Sequence, residues 1–325
     1  MKTFISTLLI LISLNVCAQE INFTPNWKKG TKKKILLKSE TKKSKKEGKW
    51  EIESNEFNAS LLIKTVNKDH YIVKVTYDDF FLKSFKNAFD LIGDNPTGQK
   101  KLDLIFKVSK DGKHYELVNW KEAKEVIDVS FTDLSNALDK IVGKDSTGVK
   151  LFNPFSMLFT QKMIQSVFST EMEALLGPYK SSWSTDTVKQ SKNEINPFGK
   201  GENDSLKVYT VNWIENNKEN IYSLGYQDVF DVEKFEETMK TVMQNMFSGF
   251  MKKIAPDTTS EKFIKKKLEL DKMLNNMSFN IQKKGSITFD KKKGFVMSYR
   301  SDSNTEGSIM GRPIKSITWS EVTFE

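Results

Sequence analysis

A chain of 325 residues with 38% hydrophobic and 29% charged side chains carries enough apolar content for a buried core, and too much for a solvated, disordered polymer. Its formal charge of +9 comes from lysine, since only Arg300 and Arg312 among the 51 basic residues are arginine. That balance argues against a sequence-reading nucleic-acid protein, because base and phosphate recognition draws on the bidentate guanidinium whereas lysine is a hydrated point charge.

Lys2 gives a positive start, Phe4 to Val16 is a mostly apolar run, and Val16-Cys17-Ala18 precedes Gln19 with residues suited to cleavage. This grammar predicts a secretory signal over 1–18, with an apolar run too short for a membrane span. Cys17 is the only cysteine, so cleavage after Ala18 leaves a chain with no disulfide, thiolate nucleophile or cysteine-ligated metal. The alternative makes Cys17 the lipidated first residue of a lipoprotein, although Leu14-Asn15-Val16 puts no small residue directly before it. No later apolar stretch is long enough to span a bilayer, so the expected place is the periplasm or an envelope surface.

After the signal, Lys33 to Ser39 and Trp50 to Val66 read as strands. The polar break Asn67-Lys68-Asp69 leads to a run in which Tyr71, Val73, Val75 and Tyr77 share one face, which predicts a hairpin. A second hairpin joins Leu102–Val108 to Tyr115–Val118 through Asp111-Gly112-Lys113, where glycine supplies the positive φ of a tight turn. The densest basic stretch, Lys28 to Lys49, holds eleven lysines against Glu40 and Glu47. It reads as solvent-facing lysines that guard strand edges, or as a face for an anionic envelope surface.

Helical spacing follows at Trp120, Ala123, Val126 and Ile127, then at Leu134, Leu138, Ile141 and Val142. A third set, Met157, Ile164, Val167, Phe168, Met172, Leu175 and Leu176, is expected to stop at Gly177-Pro178. Residues 181–205 are polar and read as a loop or linker between an N-terminal half, 19–180, and a C-terminal half, 206–325, unless 19–325 is one continuous domain.

The second half replays the theme. Leu206–Ile214 and Asn220–Val229 form a hairpin around Glu215-Asn216-Asn217-Lys218, and Asp231 caps the helix after it. Thr258 and Glu261 form a capping box for a helix carrying Phe263, Ile264, Leu268 and Leu274. Strands are expected at Ser278–Phe289, Phe295–Arg300 and Pro313–Phe324, with turns at Lys291–Gly294 and Ser301–Gly311. The class is α+β: long antiparallel meanders in a curved sheet or half-barrel, with amphipathic helices on one face and two halves that look related.

Chemical motifs are sparse. His70 and His114 each stand at a hairpin turn, and a metal shared between them would need a third ligand, so no metal or cofactor is expected. The adjacent carboxylates Asp78-Asp79, Glu171 with Glu173, and Glu236-Glu237 are the only material for a glycan or cell-wall hydrolase. No nucleophile elbow, zinc-protease pair or phosphate loop is present. The helix from Phe235 to Ile254 is the most distinctive apolar element, with Phe235, Met239, Met243, Met246, Phe247 and Phe250 covering more than a narrow stripe. Methionine adapts to irregular surfaces, so this helix is the candidate site for a lipid, an acyl chain or an envelope partner, against the plainer reading that it packs as core.

The leader ending Val16-Cys17-Ala18-Gln19, the Trp27-Lys28-Lys29-Gly30 approach to the first strands and the Asp111-Gly112-Lys113 hairpin resemble exported proteins of Bacteroidota that carry no assigned activity. The alternation of long strands with a few helices is also similar to the half-barrel of periplasmic lipoprotein carriers. The resemblance implies export and no particular activity; the methionine and phenylalanine excess of the Phe235 to Ile254 helix makes an exported, non-enzymatic binding protein the leading expectation. A structural envelope protein with a basic face is the alternative, and a hydrolase is the remaining one.

Overall fold

The structure, a computed structural model, describes residues 20–44, 49–78, 101–129, 161, 164–165, 168–195, 205–237, 239–241, 243–244, 264–265, 268–269, 271–272, 274, 276–309 and 312–325. Residues 1–18, read from the sequence as a secretory signal that includes Cys17, lie outside these residues.

Five strands follow one another first: β1 (Lys32–Ser44), β2 (Trp50–Val66), β3 (His70–Tyr77), β4 (Leu102–Ser109) and β5 (Tyr115–Leu117). Among the described residues, α1 (120–129), helical residues 161 and 164–165, and α2 (Ser169–Lys180) follow. Six more strands complete the series: β6 (Val188–Ile195), β7 (Ser205–Lys218), β8 (Ile221–Phe230), β9 (Ser278–Asp290), β10 (Phe295–Ile309) and β11 (Arg312–Phe324). Between β8 and β9 lie α3, helical at 232–237, 239–241 and 243–244, and α4, helical at 264–265, 268–269, 271–272 and 274. All strands join one curved, unclosed antiparallel sheet of eleven strands in the order β5-β4-β3-β2-β1-β11-β10-β9-β8-β7-β6. Each strand lies beside its chain neighbour except at one seam, where β1 pairs with β11 and Ile35 stands opposite Phe324. The fold is β-rich, with helices as the minor component.

The alternation along β3 does what its sequence implies: Tyr71, Val73, Val75 and Tyr77 are all buried. The same face continues across the sheet through Leu224, Ile287, Tyr299, Val322 and Leu37, which stand opposite one another on β8, β9, β10, β11 and β1. Helix α2 lies on this face. Met172, Ala174, Leu175, Leu176 and Tyr179 are buried on several sides of it, the pattern of a helix enclosed by its sheet rather than laid on a surface.

The chain before β1 seals one end. Phe23 packs on Tyr222 and Phe289, and Trp27 packs on Tyr71, Tyr179 and Phe295. The polar edges of these rings are satisfied: Trp27 Nε1 and the Tyr179 hydroxyl both donate to the Gly294 carbonyl, at 3.0 and 2.7 Å, and the Tyr71 hydroxyl donates to the Pro25 carbonyl at 3.1 Å.

Several elements depart from the sequence expectation for physical reasons. Helix α2 continues through Gly177-Pro178 to Lys180, because Gly177 serves close approach: a Cβ there would sit 2.7 Å from Ile287 Cδ1. Within 181–205, read as loop or linker, Val188–Ile195 form β6, paired along its length with β7. The β7–β8 turn is Glu219-Asn220, both at positive φ, instead of Glu215–Lys218, and the register shifts between Ile214 and Asn216. Strand β10 runs to Ile309, where a turn was expected from Ser301. On α4, Ile264 and Leu268 are 49% and 54% exposed, while Leu274 is buried. Leu274 is six positions beyond Leu268, so the three cannot share one helical face. The readings at Leu134–Val142, Met157, Pro197–Gly201, Thr258–Glu261 and Phe263 lie outside the described residues.

Candidate functional site

The inner face of β9 changes character twice along its length. Phe289 and Ile287 belong to the main core, Gly285 and Lys283 are small or polar, and Ile281 and Phe279 are apolar again. Period-two alternation places all six on one face.

The middle zone is a polar belt. One cross-strand row contains Asn212, Tyr226, Gly285, Ser301, Ser320 and Ser39, and the next contains Thr210, Asp228, Lys283, Ser303, Thr318 and Thr41. The Tyr226 ring covers Gly285, where any side chain would collide with its hydroxyl end, and stacks on Tyr299 with centroids 6.0 Å apart. The Tyr226 hydroxyl donates to the Tyr299 oxygen at 2.6 Å, and burial pushes both phenols up from their ordinary range. Thr210 donates to the buried Asp228 at 2.6 Å, and Lys283 Nζ reaches Glu173 of α2 at 3.3 Å. On the other side of α2, Glu171 is buried beside Tyr77 of β3. Burial holds its carboxyl at about 7, against the opposing effect of hydrogen bonds from its backbone and the Tyr77 hydroxyl.

Beyond the belt lies a second, smaller apolar cluster. Leu274 and Met277 are buried, and Met239, Met243 and Phe279 pack around them half-buried. Phe235 meets Phe279 edge-on with ring centroids 5.2 Å apart. Asp231 caps α3 as its sequence implies, accepting from the Lys234 amide at 3.2 Å. Glu236 accepts from the Phe279 amide at 2.8 Å, which pins α3 to the start of β9, and Gln244 donates to Asp271 of α4 at 2.9 Å.

Of the six residues singled out in the sequence, Phe235, Met239 and Met243 therefore stand at this cluster. Met246, Phe247 and Phe250 lie outside the described residues. The carboxylate pairs do not form facing dyads among the described residues: Glu171 turns to β3 and Glu173 to β9, Asp78 pairs with Lys101, and Glu236 is held by a backbone amide. The two histidine turns are adjacent, since the Lys110 amide donates to the Asp69 carbonyl, but both His70 ring nitrogens are engaged, by Asn67 and Asp69.

No protein-family model matches this chain, and no curated protein is similar to it. Among solved structures, a Bacteroides fragilis protein described as exported and of YmcC-like fold is 9% identical over 95% of this chain and 100% of that one, with a TM-score of 0.19. At that score the likeness transfers neither fold nor role.

Proposed function

We propose that this chain is an exported, non-enzymatic protein of the bacterial envelope that binds an acyl chain or similar apolar ligand beside α3. The supporting observation is the second apolar cluster. Phe235, Met239 and Met243 are half-buried, separated from the main core by a polar belt, and built from a side chain that adapts to variable apolar partners. The main concavity is a poorer host, because α2 and residues 21–27 already occupy its apolar surface. An amphiphile seated at α3 would bring its polar end towards Lys283, Ser303 and Thr318 of the belt.

The test is native mass spectrometry of the protein recovered from its own envelope, with Met239→Glu/Met243→Glu alongside. The expected result is a bound mass released by organic solvent and lost in the double variant. A ligand-free mass for the unaltered protein overturns the reading.

A further inference from the structure

In an up-and-down sheet every second turn falls at the same end, and here those turns share a composition. The β9–β10 tip presents Lys291, Lys292 and Lys293, and the β4–β5 tip presents Lys110 and Lys113. The β2–β3 and β7–β8 tips carry Lys68 and Lys218, and the approach to β1 carries Lys28 and Lys29.

Contacts bring these tips together. The Lys110 amide donates to Asp69 of the neighbouring tip at 3.1 Å, and the Lys291 amide to Asn220 of its neighbour at 2.9 Å. Gly112 abuts Pro25 and Tyr179, and Gly294 abuts Asn26, so tips from both halves of the chain converge on residues 25–27. Across the ranges 28–30, 67–69, 110–114, 218–220 and 291–294 stand nine lysines against three carboxylates.

Of the three local acids, Asp69 and Asp111 are already engaged. Asp69 bonds His70 at 2.8 Å, and Asp111 bonds Ser109 and the Lys113 amide at 2.5 and 3.0 Å. Beside the last tip, Asp290 holds the Lys293 amide and ammonium at 2.9 and 3.3 Å. Among the described residues no ion pair ties Lys28, Lys29, Lys68, Lys113, Lys218 or Lys292 to a carboxylate. Two strand spacings separate neighbouring tips, roughly 10 Å, which is about one Debye length, so their fields add.

We infer that this lysine-tipped end is a docking surface for anionic phospholipid. The side chains favour a lipid surface over nucleic acid: the tips carry lysine and no arginine, and the aromatic rings of this end, Trp27, Tyr71, Tyr222 and Phe295, are buried where no base can stack on them. The chain also reaches the fold here, because residues 21–27 run beneath these tips. The inference shares with the proposed function only the envelope setting, and the surface includes no residue of α3.

The test is co-sedimentation of the mature chain with vesicles of phosphatidylcholine alone or with about one-third phosphatidylglycerol, at low and high salt. Each lysine near an anionic surface strengthens partitioning by roughly fivefold. Lys291→Gln/Lys292→Gln/Lys293→Gln should weaken binding to the anionic vesicles by at least tenfold at low salt. Lys38→Gln/Lys42→Gln/Lys315→Gln, with the same charge change elsewhere on the sheet, should leave it within about twofold. Matching thermal unfolding of both variants establishes that each is folded. Equal loss in both, equal binding to neutral vesicles, no vesicle binding, or preferential capture by DNA overturns the inference. A missing acyl ligand in mass spectrometry leaves it standing, so the two readings fail separately.

Discussion

The two apolar zones on the inner face of the sheet are made from the same kinds of residue and behave differently. In the main core, α2 is enclosed by strands from both halves of the chain and its aromatic neighbours are hydrogen-bonded into place. In the second cluster, α3 is pinned at one end by Glu236 and Asp231, and its Met239 and Met243 remain half-exposed. Enclosure turns apolar area into stability, while partial exposure leaves area available to a ligand.

That contrast is sharpest in substitutions. Trp27→Ala removes a buried ring shared by Tyr71, Tyr179 and Phe295 together with its bond to Gly294, and is expected to cost about 3–5 kcal/mol, read as a fall in the urea midpoint. A smaller effect comes from Glu171. Its folded carboxyl, held at about 7, exceeds the ordinary 4.5, so the folded state binds the proton more tightly and stability falls as pH rises from about 4.5 to about 7. Glu171→Gln should flatten that slope, adding about 3 kcal/mol at pH 8 and almost nothing at pH 4, measured by denaturation at both values.

Tyr299→Phe removes the acceptor of the Tyr226 hydroxyl within the belt and should cost about 1–2 kcal/mol. Met243→Ala should lower stability by less than about 1 kcal/mol while reducing any solvent-extractable ligand. If it instead destabilises as Trp27→Ala does, the second cluster is ordinary core and the contrast disappears.

Legibility in the sequence followed the same division. Hairpins with an apolar face, such as Tyr71-Val73-Val75-Tyr77, were readable because alternation and burial coincide. Strand β10 was readable only as far as Arg300, because beyond it the inner positions are Ser301, Ser303, Thr305 and Gly307 and the pairing is sustained by neighbouring strands alone. Gly177-Pro178 looked like a helix stop because close packing on Ile287 leaves no local trace. The methionine and phenylalanine run marked α3, but the belt beside it was invisible: Tyr226 meets Tyr299 73 positions away, and Glu173 meets Lys283 110 positions away. Nor does any single turn announce a charged end that only the topology assembles.

The seam between β1 and β11 has a kinetic consequence. Each meander is built of neighbours in sequence and has local contacts to nucleate it, but Ile35 finds Phe324 only after the last strand has emerged. Joining the halves closes a loop nearly as long as the chain, an intrinsically slow step. Until then β1 and β11 are unpaired edges, open to association with other chains. A polypeptide arranged this way stays incomplete until β11 is available and gains its central pairing last. Refolding from denaturant should therefore show a late phase that is slowed by substitutions along the seam, such as Val322→Ala, more than by equal changes within either meander.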